Sequence, residues 1–503
     1  MDDLSKLVLY WNKKAAELLN FHSNPGHDSR RFAVVQIAIH DTLNSYLKKY
    51  NQYSPYTEES SNGQYADGSI SLLPPRSLPK KYWNSSVYQA VNRAAYKVLI
   101  WATNDINEAV GKGFPGPENY KLENDLQKIE GWYNHAKQKL LKEKDDAIAD
   151  QVGEYWANAI TIYNRDNDNI DKVRLVSKFP DGTDDGKFRY DYNHSPPPNG
   201  YKFVVNYSVE ISESGDKEEI VKPFVLTKHD QFRRPLDYSE EEGASMIDEV
   251  ESMGKKTKVD MLPKDEKDII DYWSHPKHYQ HILWNTFARE IIFSYDKPDA
   301  WAVARVFALI HTAMADGAIA MFGDLYHFYH WRPATAIHDK YNRTINKDYD
   351  PQVNTNDTWG PYKAYNQTPR VPEYPASFGV LGGATGAILR SIVGGDTIDV
   401  LMNKIINPAT NTLTGIHYSS ISKAVNDNAY TKINCGWNFR KSIDESLALG
   451  TDIGNYVLHH KFQPISGIEV PEYERPFIIE RTWVKIESLI SKLWRKQINM
   501  DYR

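Results

Sequence analysis

The stretch Asp316-Gly-Ala-Ile-Ala-Met-Phe-Gly-Asp-Leu325-Tyr-His-Phe-Tyr-His-Trp331-Arg332-Pro333-Ala-Thr-Ala-Ile337 decides how this chain is read. Its first part closes an apolar helix that follows Pro298 and runs from Ala300 to about Phe322. Beyond it the sequence turns aromatic, through Tyr326, Phe328, Tyr329 and Trp331, before Arg332-Pro333. Helical patterning surrounds this centre. Leu4, Leu7, Trp11, Ala15 and Leu18 recur at helical spacing, and Asn24-Pro25-Gly26 breaks the run. Asp28 is expected to cap a second helix with the stripe Phe32, Val35, Ile39 and Leu43. Further helices are expected at about 86–112, 118–164, 239–254, 263–295, 376–394 and 420–459.

Two regions depart from that pattern. Residues from about 165 to 235 carry Asp181-Gly182 and Asp185-Gly186 turns, a Pro196-Pro197-Pro198 break and alternation through Tyr201, Phe203, Val205 and Tyr207. This reads as a loop-rich insert with one or two short strands. Residues 340–371 are polar and rich in Asn, Pro and Tyr, the composition of a long loop. The expected organisation is one mainly α unit over residues 1–460, followed by a tail, 461–503, with one helix at about 478–497.

Composition narrows the function classes. Sixty Lys and Arg against 66 Asp and Glu give a net charge of −6, which argues against a nucleic-acid binder with a basic surface. A single cysteine, Cys435, excludes a disulfide framework and cysteine-based zinc sites. No apolar run approaches the roughly 18 residues of a membrane span, and the acidic start Met1-Asp2-Asp3-Leu4 lacks a signal peptide's basic flank. A cytoplasmic protein is the expectation. No haem, flavin or nucleotide signal is present. The 33 Tyr and 13 Trp suit either an ordinary core or a large apolar pocket.

Two more stretches complete the pattern: Pro372-Glu-Tyr-Pro375-Ala-Ser-Phe378-Gly-Val-Leu-Gly-Gly-Ala384, and Asn428-Ala-Tyr-Thr-Lys432-Ile-Asn-Cys-Gly436-Trp-Asn438-Phe-Arg440. In order and spacing the three resemble the vanadium-dependent haloperoxidases, relatives of the type 2 phosphatidic acid phosphatases. Pro223-Phe-Val-Leu226, Gln231-Phe-Arg233, Tyr272-Trp273, Ala38-Ile-His-Asp41 and Tyr53-Ser-Pro-Tyr56 extend the resemblance over roughly 9 to 457. It implies a double helical bundle with an anion pocket between helix ends.

That family carries Lys, six residues, then Arg-Pro; next Pro-Ser-Gly-His; last Ser-Arg and, a short way on, His. Here the lysine position is Leu325, and Arg332 is kept. The Ser, Gly and His of the second motif fall on Ala376, Ser377 and Phe378. The second arginine is Lys432, and the histidine that would hold vanadate is Asn438. Asn438 offers no basic nitrogen and Phe378 no exchangeable proton, so neither vanadate nor a phosphohistidine route is expected.

What the site gains suggests other chemistry. Arg332, Lys432 and Asn438 are the candidate catalytic groups, and Arg332, Lys432 and Ser377 candidate diphosphate ligands. Asp324, Asp427 and Asn428 are candidate ligands for magnesium, a hard ion that bridges phosphate oxygens. Leu325, Phe378, Tyr326, Phe328 and Trp331 would make the adjoining pocket apolar. A prenyl diphosphate cyclised beside aromatic faces fits that set, which points to a terpene cyclase-like lyase. The alternatives are a vanadate-independent non-redox enzyme in which Ser377, Lys432 and Asn438 handle protons, and a catalytically inactive binding or scaffold protein. A small-molecule partner and a homo-oligomer are expected, with no nucleic acid. Asp316, His327 and His330 read most simply as structural residues.

Overall fold

The computed structural model describes residues 2–20, 25–53, 85–112, 120–141, 146–167, 174–176, 186–188, 203–205, 209–211, 217–219, 221–275, 279–294, 298–345, 359–363, 368–369, 371–406 and 413–465. The chain is mainly helical. In order come α1 (Asp3–Leu18), α2 (Pro25–Tyr46), α3 (Val87–Gly111), α4 (Leu122–Ala136), α5 (Ala147–Asn167), α6 (Glu240–Met253), α7 (Lys256–Val259), α8 (Lys264–Trp273), α9 (Gln280–Phe293), α10 (Ala300–Phe328), α11 (Pro333–Ile345), α12 (Ser377–Val393), α13 (Ile421–Asn434) and α14 (Arg440–His460).

Helix α10 is the common spine. Every residue from Ala300 to Leu325 except Trp301 is buried, as expected of a helix apolar on all sides. It packs on α1 and α2 in the N-terminal half and on α12 and α14 in the C-terminal half. By length and composition it would cross a membrane, but its apolar window is wholly buried in the fold. The sequence expectation that no such run exists was therefore too strict: interspersed Gly and Ala keep it apolar without a solid block of large residues.

Helices α12 and α14 meet backbone to backbone. A Cβ on Gly450 would lie 2.0 Å from the Val380 carbonyl oxygen, and one on Gly454 2.4 Å from that of Ala384. Only glycine fits such a crossing.

Three expected helices are split. The segment 118–164 becomes α4, a π-helical turn (Lys137–Leu141) and α5. The segment 263–295 becomes α8 and α9. The segment 420–459 breaks after Asn434, where Gly436 takes φ +76° and redirects the chain into α14. Helix α2 starts at Pro25 instead of being capped by Asp28, which lies in its first turn and pairs with Arg31 at 3.0 Å. Helix α11 also runs to Ile345, into the segment expected to be loop.

The insert contributes two antiparallel pairs, β1 (Arg174–Val176) with β2 (Phe203–Val205) and β3 (Val209–Ile211) with β4 (Lys217–Glu219). A third pair, β5 (Thr397–Ile406) with β6 (Leu413–Ser420), was not expected. Ile398, Val400, Met402, Ile416 and Tyr418 of this hairpin are buried, which fixes its register. The expected tail helix at 478–497 lies outside the described residues.

Candidate functional site

The motif residues converge where α10 ends and α11, α12 and α14 begin. Tyr329 closes α10 in the left-handed region, φ 54°, with its N–H on the Leu325 carbonyl at 3.0 Å. The next residues run beside the insert, with Phe188 N–H on Tyr329 O at 2.8 Å and Trp331 N–H on Gly186 O at 3.0 Å. Arg332 then turns inward. Its Nε donates to Val371 O (2.9 Å), Nη1 to Trp437 O (2.9 Å) and Nη2 to Pro372 O (3.0 Å). Three of its five N–H groups thus bind the two motif loops together. Burial lowers its pKa to about 10, against the charge of Glu373.

Glu373 forms the second half of the site and escaped the sequence reading. Its carboxylate has no exposure. Oε1 accepts from Asn438 Nδ2 (2.9 Å) and the Phe439 N–H (3.0 Å), and Oε2 from Ser442 Oγ (2.6 Å). His330 Nδ1 lies 3.0 Å from Oε2, and Tyr238 OH lies 2.7 Å from His330 Nε2. The carboxylate sits at the N-terminus of α14, where unpaired N–H groups favour negative charge. Asn438 Nδ2 also donates to the Glu373 carbonyl at 3.1 Å. Position 438 is therefore an amide tied to Glu373, with no ring nitrogen to bond a metal oxyanion. The residues present do not fit vanadate as the resemblance describes its site.

Lys432 lies on the other side, on α13, fully buried. Its Nζ donates to Trp273 O at 2.9 Å, the last carbonyl of α8, and to Thr431 Oγ1 at 3.3 Å. It stands 4.1 Å from the Phe378 ring centre and 5.8 Å from that of Trp437. Among the described residues no carboxylate lies within ion-pair distance. Burial lowers its pKa to about 8; Cys435 raises it and Lys363 lowers it further.

The remaining candidates disperse. Leu325 is buried in the main core. Ser377 is the half-buried first residue of α12, and half-buried Phe378 packs with Trp437. Tyr326 leans on the main core, Phe328 on Tyr374 and Trp331 on a second cluster with Ile337 and Phe439. They do not line one pocket wall.

The magnesium set does not assemble either. Asp324 pairs with Arg233 at 2.5 Å; burial pushes its pKa up to about 6, which Arg233 opposes. Asp427 pairs with Lys423 on the surface of α13 at 2.7 Å. Asn428 Nδ2 donates to Gln280 Oε1 at 2.9 Å. Among the described residues no group of three His, Cys, Asp or Glu gathers as a metal centre. A single helix cannot aim Asp427 and Asn428 at one point, because neighbours in sequence diverge by about 100°.

Asp316 is structural. Its oxygens accept the N–H groups of Phe224 (2.6 Å), Val225 (2.8 Å) and Leu226 (3.0 Å), tying that motif to α10. His330 does more than the structural reading allowed, because it joins Tyr238 to Glu373.

Residues 305–467 match the family model described as the VCPO second helical-bundle domain. Among solved structures the chain is similar to "the first bacterial vanadium dependant iodoperoxidase", at 19% identity and TM-score 0.63, over 91% of this chain and 96% of that one. It is also similar to an apo-type bacterial vanadium-dependent chloroperoxidase, at 14% identity and TM-score 0.53, over 86% and 93%. The holo-type bacterial vanadium-dependent chloroperoxidase gives 13% identity and TM-score 0.51, over 87% and 93%. No curated protein matches.

Proposed function

We propose that this chain, a divergent member of the haloperoxidase superfamily, uses its inherited pocket as a non-redox site for a small organic molecule and works without vanadate. The observation that carries this reading is the bonding of Asn438, whose amide nitrogen goes to the Glu373 carbonyl and carboxylate. A vanadate centre needs a basic nitrogen there, and its peroxide steps need an acid–base group where Phe378 stands. What the site keeps is one amine with no counter-ion among the described residues, Lys432, and one guanidinium bound to three carbonyls, Arg332.

Orthovanadate titration followed by vanadium NMR, with peroxide-dependent iodide oxidation on the same samples, tests the reading. Neither stoichiometric binding nor iodide oxidation is expected; tight binding with turnover overturns the proposal.

The second reading is a magnesium-dependent lyase acting on a prenyl diphosphate. In its favour stand two buried cations, and a Lys432 ammonium that already faces the rings of Phe378 and Trp437, as a carbocation would. Against it, Asp324, Asp427 and Asn428 keep separate partners. Release of inorganic diphosphate from farnesyl and geranylgeranyl diphosphate, with magnesium and with a chelator, decides between the two. No release is expected, and magnesium-dependent release with a cyclic product would replace the first reading by the second.

A further inference from the structure

Glu373 is held by four donors, and one of these bonds leads outward. Oε1 takes Asn438 Nδ2 and the Phe439 N–H, and Oε2 takes Ser442 Oγ and His330 Nδ1. A carboxylate only accepts, so the imidazole proton at this bond sits on Nδ1. The neutral ring then turns the lone pair of Nε2 toward Tyr238, whose hydroxyl donates to it at 2.7 Å. Ring contacts hold the imidazole in this pose, with the Phe439 centroid at 5.7 Å and the Tyr238 centroid at 5.8 Å.

The chain of bonds runs from the interior to the surface. Glu373 and His330 are buried, Tyr238 is half-buried, and Asp237 and Ser239 on either side of it are exposed. Among the described residues the Tyr238 oxygen has no partner besides His330, so its remaining lone pair is open to a ligand. Burial and the charge of Glu373 push the Tyr238 pKa up. The phenol therefore keeps its proton at neutral pH and gives it up only where a base receives it. His330 stands at that place. A hydroxyl, a base within hydrogen-bond reach and a third group that orients the base make a weak nucleophile usable.

Nearby charge narrows the electrophile. Asp237 precedes Tyr238, and Glu240, Glu241 and Glu242 follow in the first turn of α6. A phosphate or sulfate ester would meet like charge there. Lys187, which pairs with His330 through the backbone, gives its ammonium to Phe328 O at 3.1 Å. A neutral ester meets no such repulsion.

We infer that Tyr238 is a nucleophile toward the acyl group of a neutral carboxylic ester, with His330 as its base and Glu373 as the positioning residue behind His330. The phenol oxygen bonds the acyl carbon while its proton passes to His330 Nε2. The ester C–O bond then breaks, and the alcohol leaves with that proton. Water repeats the cycle on the acyl-tyrosine: its oxygen bonds the acyl carbon, His330 takes one proton, and the acid leaves as Tyr238 recovers that proton. The balance is ester plus water to acid plus alcohol. No oxidant or metal is needed, and the step deepens the non-redox reading on which it rests.

Two probes test it on the full chain. Phenylmethanesulfonyl fluoride traps an activated hydroxyl, because the phenol oxygen bonds sulfur and fluoride leaves; adducts are mapped by peptide mass spectrometry. A positioned base should raise Tyr238 labelling about a hundredfold above that of the other tyrosines. Between about pH 8 and 9.5 their labelling should climb roughly tenfold per pH unit with the tyrosinate fraction. That of Tyr238, whose proton goes to His330, should stay nearly flat. His330→Gln keeps an acceptor for the hydroxyl and a donor for Glu373 but takes no proton. It should return Tyr238 to the rate and the pH climb of the other tyrosines while remaining folded by circular dichroism. The second probe, para-nitrophenyl acetate, reads the acyl step. The wild type should release nitrophenolate faster than Tyr238→Phe, and prior sulfonylation should abolish the difference.

Labelling of Tyr238 at the rate of the other tyrosines, or a His330→Gln variant as fast as the wild type, overturns the inference and leaves these bonds as a brace for α6. Fast labelling without ester turnover overturns the acyl assignment. The wild-type pH profile decides even where a variant fails to fold. Failure of the two proposals is distinguishable: vanadate binding with iodide turnover sinks the earlier reading whatever the Tyr238 rate, and a slow Tyr238 in a protein that ignores vanadate sinks only this one.

Discussion

The two sides of the pocket treat buried charge in opposite ways. On one side the Glu373 carboxylate is met by Asn438, the Phe439 N–H, Ser442 and His330. On the other, the Lys432 ammonium meets one carbonyl and one hydroxyl. A buried charge surrounded by donors holds a fold together. A buried charge with no opposite partner costs the fold stability. The difference separates a side that fixes where α14 begins from a side that carries an uncompensated charge.

The largest effect should come from breaking the satisfied side. Glu373→Ala strands four donors in a dry environment, and a loss of about 3–5 kcal/mol is expected. Urea unfolding at neutral pH measures it. Glu373→Gln keeps one acceptor oxygen and should lose less. If Glu373→Ala costs no more than a surface substitution, the contrast between the two sides is wrong.

Much of this fold was legible because helical periodicity and motif spacing are local signals. Leu4 to Leu18 and Ala300 to Phe322 carry a complete apolar pattern, and both are helices. The hairpin 397–420 carried an alternating signal in Ile398, Val400 and Met402, but it stands between two strong helices and went unassigned. The site was half legible. Substitutions at 325, 378, 432 and 438 could be read against a motif, which singled out Arg332, Lys432 and Asn438 as candidates. Glu373 stood inside a quoted motif without drawing notice. Its role depends on residues 43 positions before it and 65–69 after it, which chain folding alone brings together. The magnesium set failed for the converse reason: Asp324, Asp427 and Asn428 are suitable residue types that the fold points apart.

A smaller effect of opposite sign is expected at Lys432. Its pKa falls from 10.5 in a free chain to about 8 when folded, so between those values the unfolded chain binds more protons. Stability therefore rises with pH through that window, and the penalty is full below about 8. Cys435 opposes the shift and Lys363 reinforces it. Lys432→Met removes the penalty but leaves the Trp273 carbonyl without its donor. The variant should range from neutral to about 2 kcal/mol more stable than the wild type at pH 7. Its advantage should shrink at pH 9.5. Unfolding midpoints of both proteins at the two pH values check the sign, and a Lys432→Met variant destabilised at pH 7 would mean the ammonium is well paired after all.

The finest probe is Gly382→Ala, because it adds one methyl group where α12 packs on Asn428 of α13 and Trp284 of α9. The new Cβ would stand 3.0 Å from Asn428 Oδ1 and 3.2 Å from Trp284 Cζ2, so both neighbours must give by a few tenths of an ångström. Alanine in the middle of α12 regains about 0.5–1 kcal/mol of helix propensity over glycine. The two terms are similar in size, and thermal unfolding should show a shift near zero. A loss well beyond about 1 kcal/mol would mean that neither Asn428 nor Trp284 can yield. The contact of α12 with α13 and α9 would then be as rigid as its glycine crossing with α14, and Asn428 would be held in place by packing as well as by Gln280.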